Sequence, residues 1–556
     1  MLLVWMKQHF IPPVKIKHEQ MTLNIIHPIR QRGIMRTFAA ALLISLTASC
    51  GKGFLDIGPI DQKTEEDFYK TPQDAMEALV AAYSVLNMDG YGNIALTSEI
   101  ASDNCFGGGG NGDGGMRQWD RFDNYNDHNA AAWKKYYTGI YRANIFLQKV
   151  DNVDFGNDED TKKRLIAEAH FLRAYYYFDL VRMFGNVPLI TAPLEPGNYN
   201  IPQADPAEVY KLIAEDLKIA AADLSDRRYA DIPPAEQGRA TRWAAKALLG
   251  KVFLYYTGYY SKPDIEGVFT KQEAIAAIDD VIMNSGHGLV EKYFNLWRAS
   301  AETGGFAGQN NTEAVFAIQY THLGLKNWDQ QNGNRMQVMI GIRSQVLLPY
   351  YKGWGAATVN PKLWDAFAAG DTRRSASIIS IQDEGLAGSY AVGDQYQYTG
   401  YFMKKNTPLD ENKPEDLGGD FQLDNYDNYV VIRFADVLLM GAELNLNTDL
   451  GKAQDYYNRV RDRAFGDQLH RITLTGDAAG LKHIMDERRF ELSMEGHRYW
   501  DLLRQGMATA KAALDNVSAN SVFNVTFRPE TGGLLAIPQT QIGLSNGSLV
   551  QNNGWN

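Results

Sequence analysis

The sequence has little cysteine and lacks any apolar run long enough to cross a membrane. Two cysteines in 556 residues exclude a disulfide framework and any zinc or iron–sulfur site built from several cysteines. A membrane-spanning helix needs about 18–20 consecutive apolar residues, and no stretch reaches that length. Surplus positive charge is missing too, because the net charge is -11 and no Lys/Arg cluster stands out. An acidic chain disfavours contact with phosphate backbones, so nucleic acid is not an expected partner.

The composition is that of an ordinary globular protein. Hydrophobic residues make up 45% of the chain and charged residues 22%, which excludes a disordered protein. The length allows three or four domain-sized units or one large body that contains a helical solenoid.

An apolar segment near the N-terminus predicts a secretory signal. The segment Phe38–Ser49 has the length of a signal core, basic residues precede it, and small residues end it, as translocation and cleavage require. The next residue is Cys50, and Leu46–Cys50 resembles the bacterial lipobox. We therefore expect Cys50 to be lipidated and to become the mature N-terminus. The alternative is an ordinary signal peptide beside an incidental cysteine.

These features give the expected organisation of the chain. Residues 1–49 are the signal peptide, with an upstream-start artefact because Met21 and Met35 could each open the signal. Residues 50–70 form a polar, lipidated tether. Residues 71–556 are expected to form a single domain, a helical repeat scaffold with a loop-rich insert at about 285–430.

Helical patterns dominate from residue 72 onward. Thr71 and Pro72 supply an N-cap and a proline at the first helical position, and apolar residues then recur at helical spacing to residue 86. The aromatic segment 162–184 is apolar nearly all round, so a buried helix is expected. Further helices are predicted at about 130–150, 206–224, 240–257, 271–284, 360–369, 433–446, 450–464 and 479–505, with short strands at 314–320 and 429–432.

Some of these helices are spaced as tetratricopeptide pairs. Val437–Leu444 followed by Ala453–Val460 reproduces that spacing, with Gly441 where paired helices touch. Leu249–Ile278 is a looser copy. The predicted fold class is mostly α, with tetratricopeptide-like helical pairs as a scaffold, a long-loop ligand-binding face and few short strands. Unrelated helical hairpins are the alternative.

No enzymatic motif is found. Gly-x-Ser-x-Gly is absent, and His483 lacks the second histidine of a His-Glu-x-x-His zinc motif. Gly107–Gly114 lacks the Lys-Ser/Thr ending of a phosphate loop. The alternating charges of 487–501 suit ion pairs within a structural network better than catalysis. We therefore expect no catalytic residues and no cofactor, although an irregular, structural calcium site stays open.

The long loops instead carry residues suited to binding sugars. Loops of this length in a compact body are functional or disordered, and large aromatics beside amides and carboxylates argue against disorder. Aromatic rings bind the apolar face of a sugar, while its hydroxyls need amide and carboxylate partners. The predicted ligand-binding residues are Trp119, Phe122, Asn124, Tyr320, Trp328, Asp329, Gln330, Asn332 and Trp354. The alternative is that the tryptophans pin the loops to the core, and for Trp354 neither interpretation is preferred.

Several segments, in order, resemble the SusD/RagB-like outer-membrane nutrient-binding lipoproteins of Bacteroidetes. They are Phe54–Pro59 after Cys50, Tyr141–Asn144, Ala167–Tyr175 with Phe184–Pro188, Val431–Leu439, Glu487–Leu492, Gly496–Leu502, and Leu535–Gln539 with Val550–Gly554. The resemblance covers the chain from Cys50 to Trp555. Its segments are scaffold, so they transfer no binding residues, and Cys105 departs from the family pattern without an interpretation.

The resemblance implies a non-catalytic lipoprotein, anchored to the outer membrane by its lipid and facing the cell exterior. Its implied partners are an oligosaccharide or polysaccharide ligand and a SusC-like TonB-dependent transporter that receives the ligand. One rival is a peptide- or glycopeptide-binding surface lipoprotein of the same transporter system. Another is a glycoside hydrolase, which no paired-acid signature supports.

Overall fold

The computed structural model describes residues 68–88, 94–124, 127–328 and 331–555. The chain divides into two units after Lys70, and Thr71–Asn556 forms one of them. Within the described residues, no helix combines the length and the apolar character needed to span a bilayer. The predicted signal 1–49 and the predicted lipidation site Cys50 lie outside the described residues.

Helices supply most of the regular structure, as the sequence predicts. They are α1 (Pro72–Tyr83), α2 (Ile94–Ile100), α3 (Gly114–Arg121), α4 (Ala130–Lys149), α5 (Glu159–Phe184), α6 (Pro206–Asp223), α7 (Arg242–Tyr260), α8 (Lys271–Asn284), α9 (Arg335–Ile340), α10 (Pro361–Ala366), α11 (Arg373–Ser377), α12 (Phe434–Asn445), α13 (Leu450–Phe465), α14 (Ala478–Glu491), α15 (Arg498–Leu503), α16 (Met507–Leu514) and α17 (Gln539–Leu544). The mostly helical fold class is confirmed.

The start of α1 and the burial of α5 confirm two local predictions. The backbone N–H of Asp74 donates to Thr71 Oγ1, and the Asp74 carboxylate accepts from the Thr71 N–H, which completes a capping box. Every side chain of α5 from Phe171 to Phe184 is buried. This helix packs between α4 and α6, so its aromatic residues form the centre of the helical scaffold.

Small residues bring the paired helices together, as the tetratricopeptide spacing predicts. A Cβ atom on Gly250 of α7 would lie 2.5 Å from Ile278 Cδ1 of α8. A Cβ atom on Gly441 of α12 would lie 2.8 Å from the Tyr456 ring of α13. Since real Cβ atoms do not approach so closely, both helix pairs depend on glycine at these positions.

The strands are short, and most of them lie in segments that the sequence predicts to be loops. They are β1 (Cys105–Gly107), β2 (Ala314–Ile318), β3 (Ile342–Arg343), β4 (Lys352–Gly353), β5 (Ala357–Val359), β6 (Ile378–Ser380), β7 (Tyr401–Met403) and β8 (Tyr429–Arg433). An antiparallel sheet has the order β1-β5-β7-β6, while β2 pairs with β8 and β3 with β4. Only β2 and β8 are predicted, because strands of two or three residues are too short to reveal an alternating pattern.

The predicted helix 479–505 is wrong in its middle. In the structure α14 ends at Glu491 and α15 begins at Arg498. Met494 and Gly496 between them adopt φ of 67° and 81°, a left-handed conformation that ends a helix. A Cβ atom on Gly496 would lie 2.5 Å from Ala95 Cα, so the break lets α2 approach this turn.

The alternating charges of this region form the predicted structural network. Arg373 is fully buried and donates to Glu487 Oε1 at 2.6 Å. Arg433 donates to Glu491 Oε1 at 2.9 Å. Burial alone would raise the pKa of Glu491, but the surrounding guanidinium groups outweigh it and hold that pKa at about 2. These acids form ion pairs inside the scaffold, as the structural interpretation of the alternating charges predicts.

Candidate functional site

Backbone hydrogen bonds join three loop segments that are distant in sequence. The N–H groups of Gly108 and Gly109 donate to the carbonyls of Ala356 and Gly355 at 2.7 and 2.6 Å. The Tyr396 N–H donates to the Gly109 carbonyl at 2.8 Å. We call the surface formed by residues 107–113, 321–328, 331–335, 342–356, 390–397 and 415–428 the loop face. Because long-range backbone bonds join its segments, its shape depends on the fold of the whole chain.

Glycines permit this close approach. A Cβ atom on Gly108 would lie 2.1 Å from the Gly355 carbonyl oxygen. Gly355 itself adopts φ of +60°, and a Cβ atom there would lie 2.0 Å from Gln395 Oε1. The glycine run from Gly107 therefore serves backbone packing against the segment that carries Trp354, not a phosphate group.

Trp354 lies at the centre of this junction and is half-buried. Its N–H donates to the Val338 carbonyl at 2.7 Å, and its carbonyl accepts from Arg343 Nη1 at 3.1 Å. These bonds fix the backbone on both sides of the indole. A fixed and partly open aromatic ring suits stacking against a flat apolar ligand surface.

Charged groups that can bind hydroxyls lie beside Trp354. Arg343 donates two bonds of 2.7 Å to Asp394 and a third, of 3.2 Å, to Asp113. The Asp394 side chain is 54% exposed, and its bonds with Arg343 lower its pKa. This carboxylate is therefore charged and partly open, and it can accept hydrogen bonds from a ligand.

Trp328 projects from a second part of the loop face. Its side chain is 55% exposed, and the Arg335 guanidinium carbon lies 5.7 Å from the centre of its ring. The Thr321 N–H donates to the Asn332 carbonyl at 2.9 Å and closes the loop. The Lys326 N–H donates to Asp424 Oδ2 at 2.9 Å and anchors it. Trp328 is thus an exposed ring on a braced loop.

The segments of Trp328 and Trp354 both contact α9. Arg335, which lies over Trp328, is the first residue of this helix, and Val338, which accepts from Trp354, is three residues further on. Both loop segments are therefore held against this helix.

The remaining predicted residues of this region differ in exposure. Tyr320 is half-buried and its N–H donates to Asn428 Oδ1 at 3.0 Å. Asn332 is exposed. Asp329 and Gln330 lie outside the described residues.

Trp119 and Phe122 are buried, which contradicts the prediction that they contact a ligand. Trp119 in α3 is 3% exposed and its ring lies 5.5 Å from that of His128. Phe122 is 6% exposed and packs on Phe527 with the ring centres 5.1 Å apart. Neither ring has a face open to a ligand, so the alternative that these aromatics pin the loop to the core describes them better. Asn124, two residues on, is exposed.

Sequence reasoning missed Arg343, Asp394 and Tyr396. Arg121 donates to the Tyr396 hydroxyl at 2.7 Å, and the Arg117 guanidinium carbon lies 4.4 Å from the centre of the Tyr396 ring. No local spacing signals these groups, because the fold alone joins Arg343 to Asp394, 51 residues further along the chain.

A buried acid connects the glycine run to the last of these loops. Asp120 Oδ2 accepts from the Gly107 N–H at 2.8 Å and from Gln397 Nε2 at 3.0 Å. Desolvation raises the pKa of Asp120 to about 6. Within the described part of the chain, Asp120 Oδ1 and Gln397 Oε1 are both buried acceptors without a donor. A proton on Asp120 Oδ1 would turn one of these two acceptors into a donor.

Cys105 begins β1 close to this acid. It is a free, buried cysteine whose thiol lies 3.7 Å from Met494 Sδ. Burial raises the pKa of the thiol well above its usual value, so the group is an unreactive part of the core. Among the described ranges, no group of three or more His, Cys, Asp or Glu residues is arranged to hold a metal ion.

Comparisons with known proteins find matches along most of the chain. Residues 53–254 match a family model described as starch-binding proteins associating with the outer membrane, and residues 384–555 match the model of the SusD family. A SusD-like protein of Bacteroides ovatus is 28% identical over 487 residues, which cover 82% of this chain and 80% of that protein.

Solved structures of similar proteins match the fold. One described as a laminarin-binding SusD-like protein is 34% identical and has a TM-score of 0.74, over 87% of this chain and 100% of that one. Surface glycan-binding protein A from Bacteroides fluxus is 26% identical with a TM-score of 0.72, over 87% of this chain and 100% of that one.

Proposed function

Because the chain belongs to the SusD family, we propose that it is a non-catalytic glycan-binding lipoprotein of the outer membrane. In this proposal Cys50 carries the lipid, and the protein lies at the outer surface of the cell. It captures oligosaccharides on the loop face and passes them to a SusC-like TonB-dependent transporter.

The observation that carries the proposal is that two aromatic rings, those of Trp328 and Trp354, lie in loop segments that both contact α9. One ring is 55% exposed and the other is half-buried on a fixed backbone. Each aromatic contact contributes about 1 kcal/mol beyond the apolar area that it buries. Asp394 supplies an acceptor for hydroxyl groups beside Trp354. Aromatic platforms combined with such acceptors are what an uncharged sugar chain requires.

A neutral glucan is the first ligand to test. The relative that is 34% identical is described as laminarin-binding. In this chain the Arg343 cation is already paired with Asp113 and Asp394, so it offers no surplus positive charge to a uronic acid or a sulfate. Both points favour uncharged polysaccharides.

The same geometry favours binding without hydrolysis. A glycosidase needs one carboxylic acid held protonated beside a second, charged carboxylate. Arg343 lowers the pKa of Asp394, so this acid is charged and cannot act as the proton donor. Release of reducing ends during incubation with the bound polysaccharide would contradict a purely binding role.

Affinity electrophoresis against laminarin and other plant, host and microbial polysaccharides tests the proposal. Protein that begins at Gly51 is run beside Trp354→Ala and Trp328→Ala. The control Trp364→Ala removes a half-buried indole outside the loop face, where Trp364 stacks on Tyr401 with the ring centres 5.1 Å apart. We expect retardation by a neutral glucan that either loop-face variant weakens at least tenfold and that Trp364→Ala preserves.

A protein that no polysaccharide retards would contradict the glycan ligand. The rival role as a peptide- or glycopeptide-binding protein of the same transporter system would then take its place.

A further inference from the structure

A cavity of about 290 Å³ lies outside the loop face, between α1, β2 and the turn at 237–239. Ligand pockets range from about 300 to 1,000 Å³, so this one is at the small end and suits one ring-sized molecule. Its lining combines an apolar side with a polar side, which is the combination that fixes the orientation of a ligand.

The apolar side comes from α1. Val80 is 55% exposed and lines the cavity together with Met76 and Leu79. Tyr83, one turn later, adds an aromatic ring. These groups form an apolar wall that a sugar ring can lie against.

The polar side is held rigidly. Tyr83 donates to Glu168 Oε2 at 2.7 Å, and Arg239 donates to the same carboxylate through Nε at 3.1 Å and Nη2 at 2.5 Å. Gly238 adopts φ of +88°, and a Cβ atom there would lie 2.3 Å from Gln319 Cγ. The close contact of this turn with β2 thus depends on glycine, and it holds the neighbouring Arg239 and Gln237 in place.

Several polar atoms on this side have hydrogen-bonding capacity to spare within the described residues. Arg239 uses Nε and Nη2 on Glu168, which leaves Nη1 as a donor. Gln237 accepts from Asn310 through Oε1, which leaves its NH₂ group. Asn87 donates through Nδ2 to the Gln319 carbonyl, which leaves Oδ1 as an acceptor. The cavity thus offers fixed donors and an acceptor to hydroxyl groups.

The charge of the cavity lining and its spare hydrogen-bond donors together indicate the class of ligand. The two charged residues that line the cavity, Glu168 and Arg239, are paired with each other, so the lining offers no excess charge to an ionic ligand. An apolar side chain of a partner protein would bury the spare donors of Arg239 and Gln237 unpaired, at a cost of about 1–3 kcal/mol each. A neutral, polyhydroxyl ring satisfies both walls.

We propose that this cavity is a second carbohydrate site, separate from the loop face, which binds a single neutral sugar ring. The inference rests on the proposed function only for the class of ligand. Hydrogen bonds also fix the position of the cavity relative to the loop face: Gln319 accepts from Asn428, and Asn428 Oδ1 accepts from the Tyr320 N–H. Two sites held at a constant separation can bind one chain more tightly than either alone.

Saturation-transfer NMR with glucose, galactose, mannose and glucuronate tests this site directly. Val80→Trp fills the cavity from an exposed position, and Gln237→Leu removes the spare donor at similar volume. Ala81→Trp is the matched control, because Ala81 is exposed on the same helix but does not line the cavity. Thermal unfolding of each variant verifies that the fold is retained.

We expect transfer to at least one neutral monosaccharide and none to glucuronate. The spectra are recorded in a Trp328→Ala/Trp354→Ala background, so that the loop-face rings do not contribute. There Val80→Trp should abolish the transfer and Gln237→Leu should reduce it severalfold, whereas Ala81→Trp should leave it unchanged. Transfer that survives Val80→Trp in this background, or silence with every neutral sugar, would overturn the second site. Transfer lost in Val80→Trp while no polysaccharide is retarded in the electrophoresis would support this site and contradict the proposed function of the loop face.

Discussion

The helical scaffold and the helix beside the loop face both contain buried acids, but the two regions compensate them differently. In the scaffold, Glu491 contacts Arg373, Arg433 and Arg463, and these cations hold its pKa at about 2. In α3, next to the loop face, Asp120 accepts from a backbone N–H and an amide, and desolvation raises its pKa to about 6. The ionised carboxylate of Glu491 therefore stabilises the fold, whereas that of Asp120 destabilises it until the group is protonated.

The largest effect should come from removing a scaffold cation. Arg433 is 3% exposed and donates to Glu313, Glu491 and Glu495. Arg433→Met leaves these carboxylates buried without their main partner, which should lower the free energy of unfolding by about 3–5 kcal/mol. Urea denaturation measures the change. Lys482→Met is the control, because the Lys482 side chain is 73% exposed in its pair with Asp486, and it should change stability by less than about 0.5 kcal/mol. Equal effects of the two variants would remove the distinction between scaffold and surface charge.

Removing the buried Trp119 should destabilise the protein nearly as much as removing Arg433, whereas removing the exposed Trp328 should not. Trp119→Ala empties a site in the core and should lower the free energy of unfolding by about 3–5 kcal/mol. Trp328→Ala removes a ring that is 55% exposed and should cost less than about 1 kcal/mol, while it weakens glycan binding. Thermal unfolding and affinity electrophoresis, run on both variants, give the comparison. A Trp119→Ala protein of normal stability that fails to bind glycan would restore the original prediction for Trp119.

Sequence patterns predict the scaffold better than the loop face, for a physical reason. Helix α5 and the pair α12–α13 have repeated apolar and small residues, and helical periodicity is a local signal. The sheet β1-β5-β7-β6 has strands of three residues, whose pairing is decided by contacts distant in the chain.

The same reasoning applies to the individual residues of the site. Loop composition leads to Trp328 and Trp354, which the structure leaves partly or largely exposed. It cannot separate them from Trp119, which only the packing of α3 against His128 places in the core. No local sequence pattern marks Arg343 and Asp394 as binding residues, because only the fold brings the two side chains together. The sequence therefore does not predict which loop aromatics are exposed or which side chains from distant segments pair with each other.

A smaller effect, opposite in sign to that of the scaffold, should follow from neutralising Asp120. The folded pKa of about 6 exceeds the ordinary value of 3.8, so the native state takes up a proton that the unfolded chain does not bind between these pH values. Asp120 therefore destabilises the fold above pH 6, and this destabilisation disappears as the pH falls below 4. Its magnitude is up to about 3 kcal/mol. Glu491 behaves in the opposite way, because its depressed pKa gives stability that is present above pH 4.5 and is lost as the pH falls towards 2.

Asp120→Asn isolates this contribution. The asparagine keeps an acceptor for the Gly107 N–H and supplies an NH₂ donor for Gln397 Oε1, as a protonated Asp120 would. We expect the variant to be more stable than the parent at pH 7.5, by about 1–3 kcal/mol, and equal to it at pH 4. Urea denaturation across this range measures the difference, with Asp160→Asn, exposed on α5, as the control. A constant difference between the variant and the parent at all pH values would mean that the Asp120 carboxyl does not titrate there.

The smallest effect should be in binding alone. Asp394→Asn retains an acceptor but removes the charge that pairs with Arg343, and the Asp394 side chain is 54% exposed, so the fold should lose less than about 1 kcal/mol. A ligand hydroxyl bonded to a charged acceptor is held more strongly than one bonded to a neutral amide, so affinity for a neutral glucan should fall about three- to tenfold. With Asp113 as its one remaining acidic partner, Arg343 should also begin to bind acidic glycans that the parent excludes. Electrophoresis of the variant against a neutral and a uronic-acid polysaccharide measures both changes. Unchanged affinity for the neutral polysaccharide would mean that Asp394 only positions Arg343. Unchanged affinity for both polysaccharides would mean that the ligand contacts only the rings of Trp328 and Trp354.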